Sequence, residues 1–242
     1  MISDRFYLYA IVTGAHPLEP ALTGLADAAV TLLPYRDLAA AVSPVASEGV
    51  RPDPEQLLGH ERVVEALMVQ RSTLPVRFGT VLDADSLLAT LAERYATFAA
   101  DLARLAGQVE IGVRVLWDPE AMPEPPAQAA NPGDERPGTR YLLTRAREVA
   151  TERRLREAAQ ALETWCLARL KPLASDSTTR LLTTAAMPVS AAFLTPRSDM
   201  AALLAAAAQM QRERPDLDLV CTGPWPPYHF VTKEHITQGV FS

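Results

Sequence analysis

Lysine is almost missing from this chain: Lys171 and Lys233 are the only two among 242 residues. Arginine makes up the rest of 23 basic side chains, which face 29 acidic ones for a formal net charge of −6. Without a basic cluster there is little to release counterions from, so nucleic acid and anionic membrane surfaces are poor partners. Cysteine is equally scarce. Cys166 and Cys221 lie far apart with no CxxC spacing, which argues against a disulfide framework and a thiolate zinc site; both read as small buried apolar residues. Long hydrophobic runs are absent too. The longest stretch free of charged residues, 181–196, has 16 residues and is interrupted by Pro188, too short to span a bilayer. Asp4 and Arg5 precede the apolar opening without a basic n-region, so no signal peptide is expected and the chain reads as cytoplasmic.

Familiar catalytic signatures are missing as well. There is no GxxxxGK[ST] loop, GxGxxG turn, HExxH pair or GxSxG elbow. No catalytic, cofactor-binding or metal-binding residue is therefore assigned, and the chain is not expected to be an enzyme. His60-Glu61 lacks the second histidine one turn on that zinc would need, and reads as a solvated pair early in a helix. Cys221 with His229 could pair as nucleophile and base, but no orienting acid or oxyanion donor accompanies them.

What is present is a globular composition, 48% hydrophobic and 21% charged, long enough for one large domain or two small ones. Pro119, Pro123, Pro125, Pro126, Pro132 and Pro137 crowd one stretch, whose fixed φ angles and missing donors mark a linker. Charge divides there. Residues 1–118 carry nine Arg against fifteen Asp and Glu, whereas residues 119–242 balance at fourteen each. The expected organisation is a domain over 1–118, a Pro-rich linker over 119–138 and a second domain over 139–242.

In the first domain, residues 6–12 have the β-branched and aromatic composition of a strand. Residues 30–33 and 38–45 flank Pro34-Tyr35-Arg36-Asp37 as a hairpin. Asp53, Pro54 and Gln56 open a helix as N-cap, N1 proline and reciprocal glutamine, with Leu57, Val64, Leu67 and Met68 on one face. Leu74, Val76 and Phe78 alternate with Pro75, Arg77 and Gly79, predicting a short edge strand that turns the latter three outward. Leu88, Leu91, Tyr95, Phe98, Leu102 and Leu105 predict one helix ending at Gly107. Val109 to Trp117 alternate as a further strand. That order is α+β: a ferredoxin-like βαββαβ-type sheet with helices on one face. The second domain is also α+β. A long helix over 139–170, whose apolar stripe slips at Glu152, Arg153 and Arg154, precedes strands over 178–184 and 189–194. A helix capped by Asp199 and a strand through Leu217, Leu219 and Cys221 complete it.

Two stretches carry more information. One runs from Gly59-His60-Glu61 through Val63, Val64, Leu67 and Met68 to Leu74-Pro75-Val76-Arg77-Phe78-Gly79-Thr80-Val81. The other is Thr222-Gly223-Pro224-Trp225-Pro226-Pro227-Tyr228-His229-Phe230, where three prolines stiffen a backbone bearing Trp225 and Tyr228. These rings either plug the sheet of the second domain or form an aromatic face for a protein partner. With the Tyr7-to-Val12 strand, the Ala40-to-Val45 strand, Gly107 to Val115 and Ala191 to Arg197, the sequence resembles the GvpL/GvpF family of gas vesicle proteins from end to end. His229, where a small polar residue is common, and the long Pro-rich stretch depart from the pattern.

The resemblance implies a non-enzymatic accessory protein of two α+β domains, a minor vesicle component. Its partners would be the hydrophobic shell protein GvpA and other gas vesicle accessory proteins, with no nucleic acid and no membrane span. It would bind GvpA and limit its aggregation during nucleation. Arg77, Phe78 and Gly79 of the edge-strand region, with Trp225 and Tyr228, are the candidate protein-binding residues; Arg77 is either a charged anchor or a partner for Glu110. A ferredoxin-like small-molecule sensor is the alternative, by fold analogy.

Overall fold

The apolar opening becomes β1 (Arg5–Thr13), with Tyr7 to Val12 buried without a break. A strand covered on both faces needs a continuous apolar run rather than alternation. Its register slips between Leu8 and Ala10, a β-bulge that resets which face each later side chain takes. Tyr7, Tyr9, Ala10 and Val12 thus share one core with Val63, Val64 and Leu67, while Leu8 and Ile11 are left to line a cavity. This computed structural model of the chain describes residues 5–45, 50, 53–118, 137–182 and 186–232.

The hairpin is present as β2 (Thr31–Tyr35) and β3 (Leu38–Pro44), turning at Arg36 with φ 55°. Pro34 lies in the edge strand, where a missing N–H costs nothing. The cap of α1 (Pro54–Gln70) forms, Gln56 N–H donating to Asp53 Oδ1 at 2.9 Å. Its buried face, however, is His60, Val63, Val64 and Leu67, and Leu57 is 47% exposed. Drawing His60 inward rotates the apolar stripe away from Leu57.

β4 (Thr73–Pro75) and β5 (Val81–Asp83) both pair antiparallel with β1, giving the order β2-β3-β1-β4 with β5 also on β1. β4 is an edge strand as expected. Pro75 is buried, though, while Arg77 and Gly79 are exposed. The single helix expected over 88–105 is two, α2 (Ala84–Glu93) and α3 (Tyr95–Arg104). Arg94 leaves helical geometry at φ −110°, ψ 12°, yet the apolar spacing continues across it, so periodicity alone does not register the break. Gly107 adopts φ +69°, as a helix-terminating glycine does.

The largest correction concerns β6 (Gln108–Trp117), expected to close the first sheet. It pairs instead in a second sheet, ordered β7-β8-β6-β9. The other elements there are α4 (Pro137–Leu170), β7 (Asp176–Leu181), β8 (Val189–Pro196), α5 (Met200–Glu213) and β9 (Leu217–Trp225). The βαββαβ connectivity anticipated over 1–118 therefore runs through β6, α4, β7, β8, α5 and β9. Packing explains it. Ile111 and Val113 bury with Cys166, Leu170, Phe193 and Leu203, and Val115 with Leu162, Val189 and Leu217.

Contacts divide the chain into Met1–Glu110 with Pro224–Ser242, and Ile111–Gly223. The division falls inside β6 and near the end of β9, not at the Pro-rich stretch, most of which lies outside the described residues. Helix α4 starts at Pro137, and residues 144–153 are exposed on every side, in keeping with the slipped stripe. The fold is mixed α+β with two antiparallel sheets.

One close approach in the first unit is open to test. A Cβ at Gly24 would lie 2.1 Å from Tyr9 Oη, a hydroxyl held by Ser43 Oγ at 2.9 Å and by Leu25 N–H at 2.8 Å. Gly24→Ala must displace that buried ring, at a cost of about 2 kcal/mol. Thermal unfolding followed by circular dichroism should show a lower Tm; an unchanged Tm would mean the contact relaxes freely.

Candidate functional site

His60 reverses its sequence reading: the side chain is fully buried. Its Nε2 lies 3.0 Å from the Val76 carbonyl, which only accepts, so Nε2 carries the proton. Nδ1 must then accept, and Tyr7 O–H donates to it at 2.9 Å. Tyr7 Oη in turn accepts the Gly79 N–H at 3.1 Å. Gly79 reaches this position with φ +88°, a conformation that suits glycine. Tyr9 stacks on the imidazole with centroids 5.7 Å apart, and Phe78 meets it edge-on at 5.9 Å. Burial holds the imidazole neutral, with a pKa lowered to about 4.

Beside this cluster the first unit contains a cavity of about 390 Å³. Leu8 and Ile11 of β1, with Leu74 and Leu82, supply apolar lining; Leu57 and Glu61 come from α1, and Leu87, Thr90 and Phe98 from α2 and α3. The loop from Val76 to Thr80 contributes Arg77 and Phe78. A volume of this size falls in the range of small ligand pockets.

Three residues of the last described segment complete the lining: Tyr228, His229 and Val231. Buried carboxylates fasten this strap. Asp101, 3% exposed, accepts the Thr232 N–H at 2.8 Å and its hydroxyl at 3.0 Å. Glu110, 5% exposed, accepts the His229 N–H at 3.0 Å and bonds His229 Nδ1 at 2.6 Å. Arg104 adds a bond to the Phe230 carbonyl. Tyr228 Oη donates to Glu61 Oε1 at 3.0 Å and lies 3.1 Å from His60 Nε2. Burial and the neighbouring Glu61 both raise the Tyr228 pKa, so its proton is firmly held.

The structure thus gathers Arg77, Phe78 and Tyr228 at one cavity, with Gly79 bracing its loop, and leaves Trp225 out of the lining at 40% exposure. Tyr228 belongs to the first unit, where it bonds Glu61. Glu110, the acid considered for Arg77, has both oxygens bonded by His229. Sequence reasoning missed Asp101 and the roles of Glu61 and Glu110, because the bonds that define them come from a segment more than a hundred residues away. The Cys221/His229 pairing gains nothing: burial pushes the Cys221 thiol up, away from a reactive thiolate. Among the described residues, no three His, Cys, Asp or Glu side chains gather to hold a metal ion, and no helix is long and apolar enough to cross a membrane.

The first unit thus holds an apolar cavity walled by a strap that is tethered through Asp101 and Glu110. Residues 5–232 match the family described as gas vesicle synthesis protein GvpL/GvpF, and the chain belongs to that family. Gas vesicle protein F of a Streptomyces species is 29% identical, over 93% of this chain and 98% of its own length. Gas vesicle protein L2 of Halobacterium salinarum is also 29% identical, over 95% of this chain and 92% of its own. The crystal structure of GvpF from an Anabaena species superposes with a TM-score of 0.80 at 22% identity, covering 95% of this chain and 99% of that one. GvpF from Microcystis aeruginosa gives 0.75 at 20% identity, with the same coverage. These likenesses place the fold among gas vesicle proteins.

The neutral imidazole predicts a pH dependence. Unfolded, His60 takes up a proton near pH 6.5; folded, it resists until about pH 4. The stability it contributes is complete above 6.5 and is lost as pH falls toward 4, by on the order of 3 kcal/mol. Urea unfolding across this window should show the decline, and His60→Gln should flatten it. An equally steep decline in the variant would assign the titration elsewhere.

Proposed function

We propose that the chain is an accessory factor of gas vesicle assembly. It is a minor vesicle component that binds the hydrophobic shell protein GvpA and restrains its aggregation during nucleation. A subunit destined for a water-excluding wall exposes apolar surface before it assembles, and such surface aggregates unless covered. The observation that carries this reading is the apolar cavity of the first unit, of about 390 Å³, with Arg77, Phe78 and Tyr228 in its lining. An acidic chain with net charge −6 would keep such a complex in solution. Other accessory proteins are further partners, and the site of action is the cytoplasm and the vesicle. No catalytic step is part of the role.

The cavity also has the size of a metabolite pocket, which favours a small-molecule sensor as the second reading. A thermal shift screen separates the two: one metabolite raising the Tm strongly would support the sensor.

Arg77 tests the leading reading. It is exposed at the mouth of the apolar lining, and as a charged anchor its reversal in Arg77→Glu should cost about 2 kcal/mol of shell-protein binding. The full chain is the right bait, because a fragment ending at residue 118 lacks Tyr228 and the strap. Capture of co-expressed shell protein and a melting curve are measured on the same variant. Weakened capture at an unchanged Tm is expected; undiminished capture would remove Arg77 from the interface.

A further inference from the structure

Within the cavity lining one polar atom stands apart. Glu61 Oε1 accepts the Tyr228 hydroxyl at 3.0 Å, but Glu61 Oε2 is buried and has no hydrogen-bond partner. Of the other polar side chains in the lining, Thr80 donates to the Arg77 carbonyl at 2.8 Å, Thr90 donates to the Ser86 carbonyl at 2.8 Å and His229 bonds Glu110, while Arg77 brings a cation to the same lining. A buried acceptor left unmet is costly, more so when charged. Glu65, one turn along α1, adds its own negative charge, and with burial it lifts the Glu61 pKa.

We propose that this cavity receives an apolar segment of a partner protein carrying one arginine or lysine, whose cationic group bonds Glu61 Oε2 while its apolar neighbours fill the lining. A neutral donor would satisfy the hydrogen bond and leave the Glu61–Glu65 repulsion in place; a cation answers both. The aliphatic stem of a basic residue also suits the apolar wall that its head must pass. Residues 1–118 as a whole are acidic, with nine Arg against fifteen acids, although the lining itself also contains Arg77. The inference rests on the reading that this cavity engages a gas vesicle partner, and it adds the sign of the charge that is recognised.

Two measurements on the full chain test it. In the first, hexylammonium, hexanoate and hexanol are titrated separately and followed by NMR shifts of residues lining the cavity. Hexylammonium should bind about tenfold more tightly than the other two. Glu61→Gln, which keeps an acceptor for Tyr228, should erase that preference. Equal binding of the three probes, or no binding of hexylammonium, would overturn the proposal, and this arm needs no variant to fold. In the second, shell-protein capture by Glu61→Gln should fall about tenfold, with a weaker salt dependence than the parent. Full capture by that variant would overturn the charged contact while leaving the assembly role standing. Failure of the parent itself to capture shell protein would sink the assembly role, and the probe titration would then decide this inference alone.

Discussion

The first unit depends on a neutral imidazole. His60 is the point where α1, β1, the loop after β4 and the C-terminal strap meet: its ring accepts from Tyr7, donates to Val76 and lies 3.1 Å from Tyr228 Oη. Each bond requires the next. Tyr7 could not donate to Nδ1 if that atom carried a proton, and Gly79 N–H reaches Tyr7 only because that hydroxyl still has a lone pair to offer. A charged ring would be a buried cation between the rings of Tyr9 and Phe78. The arrangement has the all-or-none character of a buried polar network, in which one missing partner strands the others.

The strap extends the same logic to the end of the described chain. Asp101 and Glu110 are buried acids whose bonds go chiefly to groups contributed by Thr232 and His229. Without the strap, each would be a desolvated carboxylate short of donors, a more expensive state than an exposed one. Glu61 gains only one bond from the same segment, at Oε1. Three acids of the first unit thus face one segment, two satisfied and one half-satisfied. The half-satisfied one lines the cavity.

Much of the local structure was legible because local forces decide it. Continuous apolar β-branched and aromatic composition specified β1, Asp53-Pro54-x-Gln56 specified the start of α1, and alternation specified β6. What the sequence did not disclose depends on distant partners. Alternation at Ile111, Val113 and Val115 says that one face is buried, without saying against which helix, so β6 went to the wrong sheet. The bulge between Leu8 and Ala10 hid the split of β1 into a core-facing set and a cavity-facing set. Histidine near a helix start reads as solvated until Tyr7, Val76 and Tyr228 converge on it from sites up to 168 residues away. Of the candidate site, the resemblance brought Arg77, Phe78, Gly79, Trp225 and Tyr228 to attention, Trp225 lies outside the cavity lining, and the bonding of Glu61 and of the strap anchors needed coordinates.

Constraint and opportunity meet at β1. A strand that gives Tyr7 and Tyr9 to the core around His60 must give Leu8 and Ile11 to another surface, and in this fold that surface lines the cavity. Short β4 and β5 share one edge of β1, pairing at Ala10–Val12 and Arg5–Tyr7 respectively. The loop between them, braced by Gly79 on Tyr7, carries Arg77 and Phe78 to the cavity instead of extending the sheet. A longer, regular strand there would present a bare ladder edge, a template for indiscriminate pairing. An interrupted edge beside an apolar cavity offers side-chain recognition in its place. For a protein proposed to handle an aggregation-prone subunit, that difference matters: backbone pairing would add strands without selectivity, whereas a bounded cavity would discriminate by side chain.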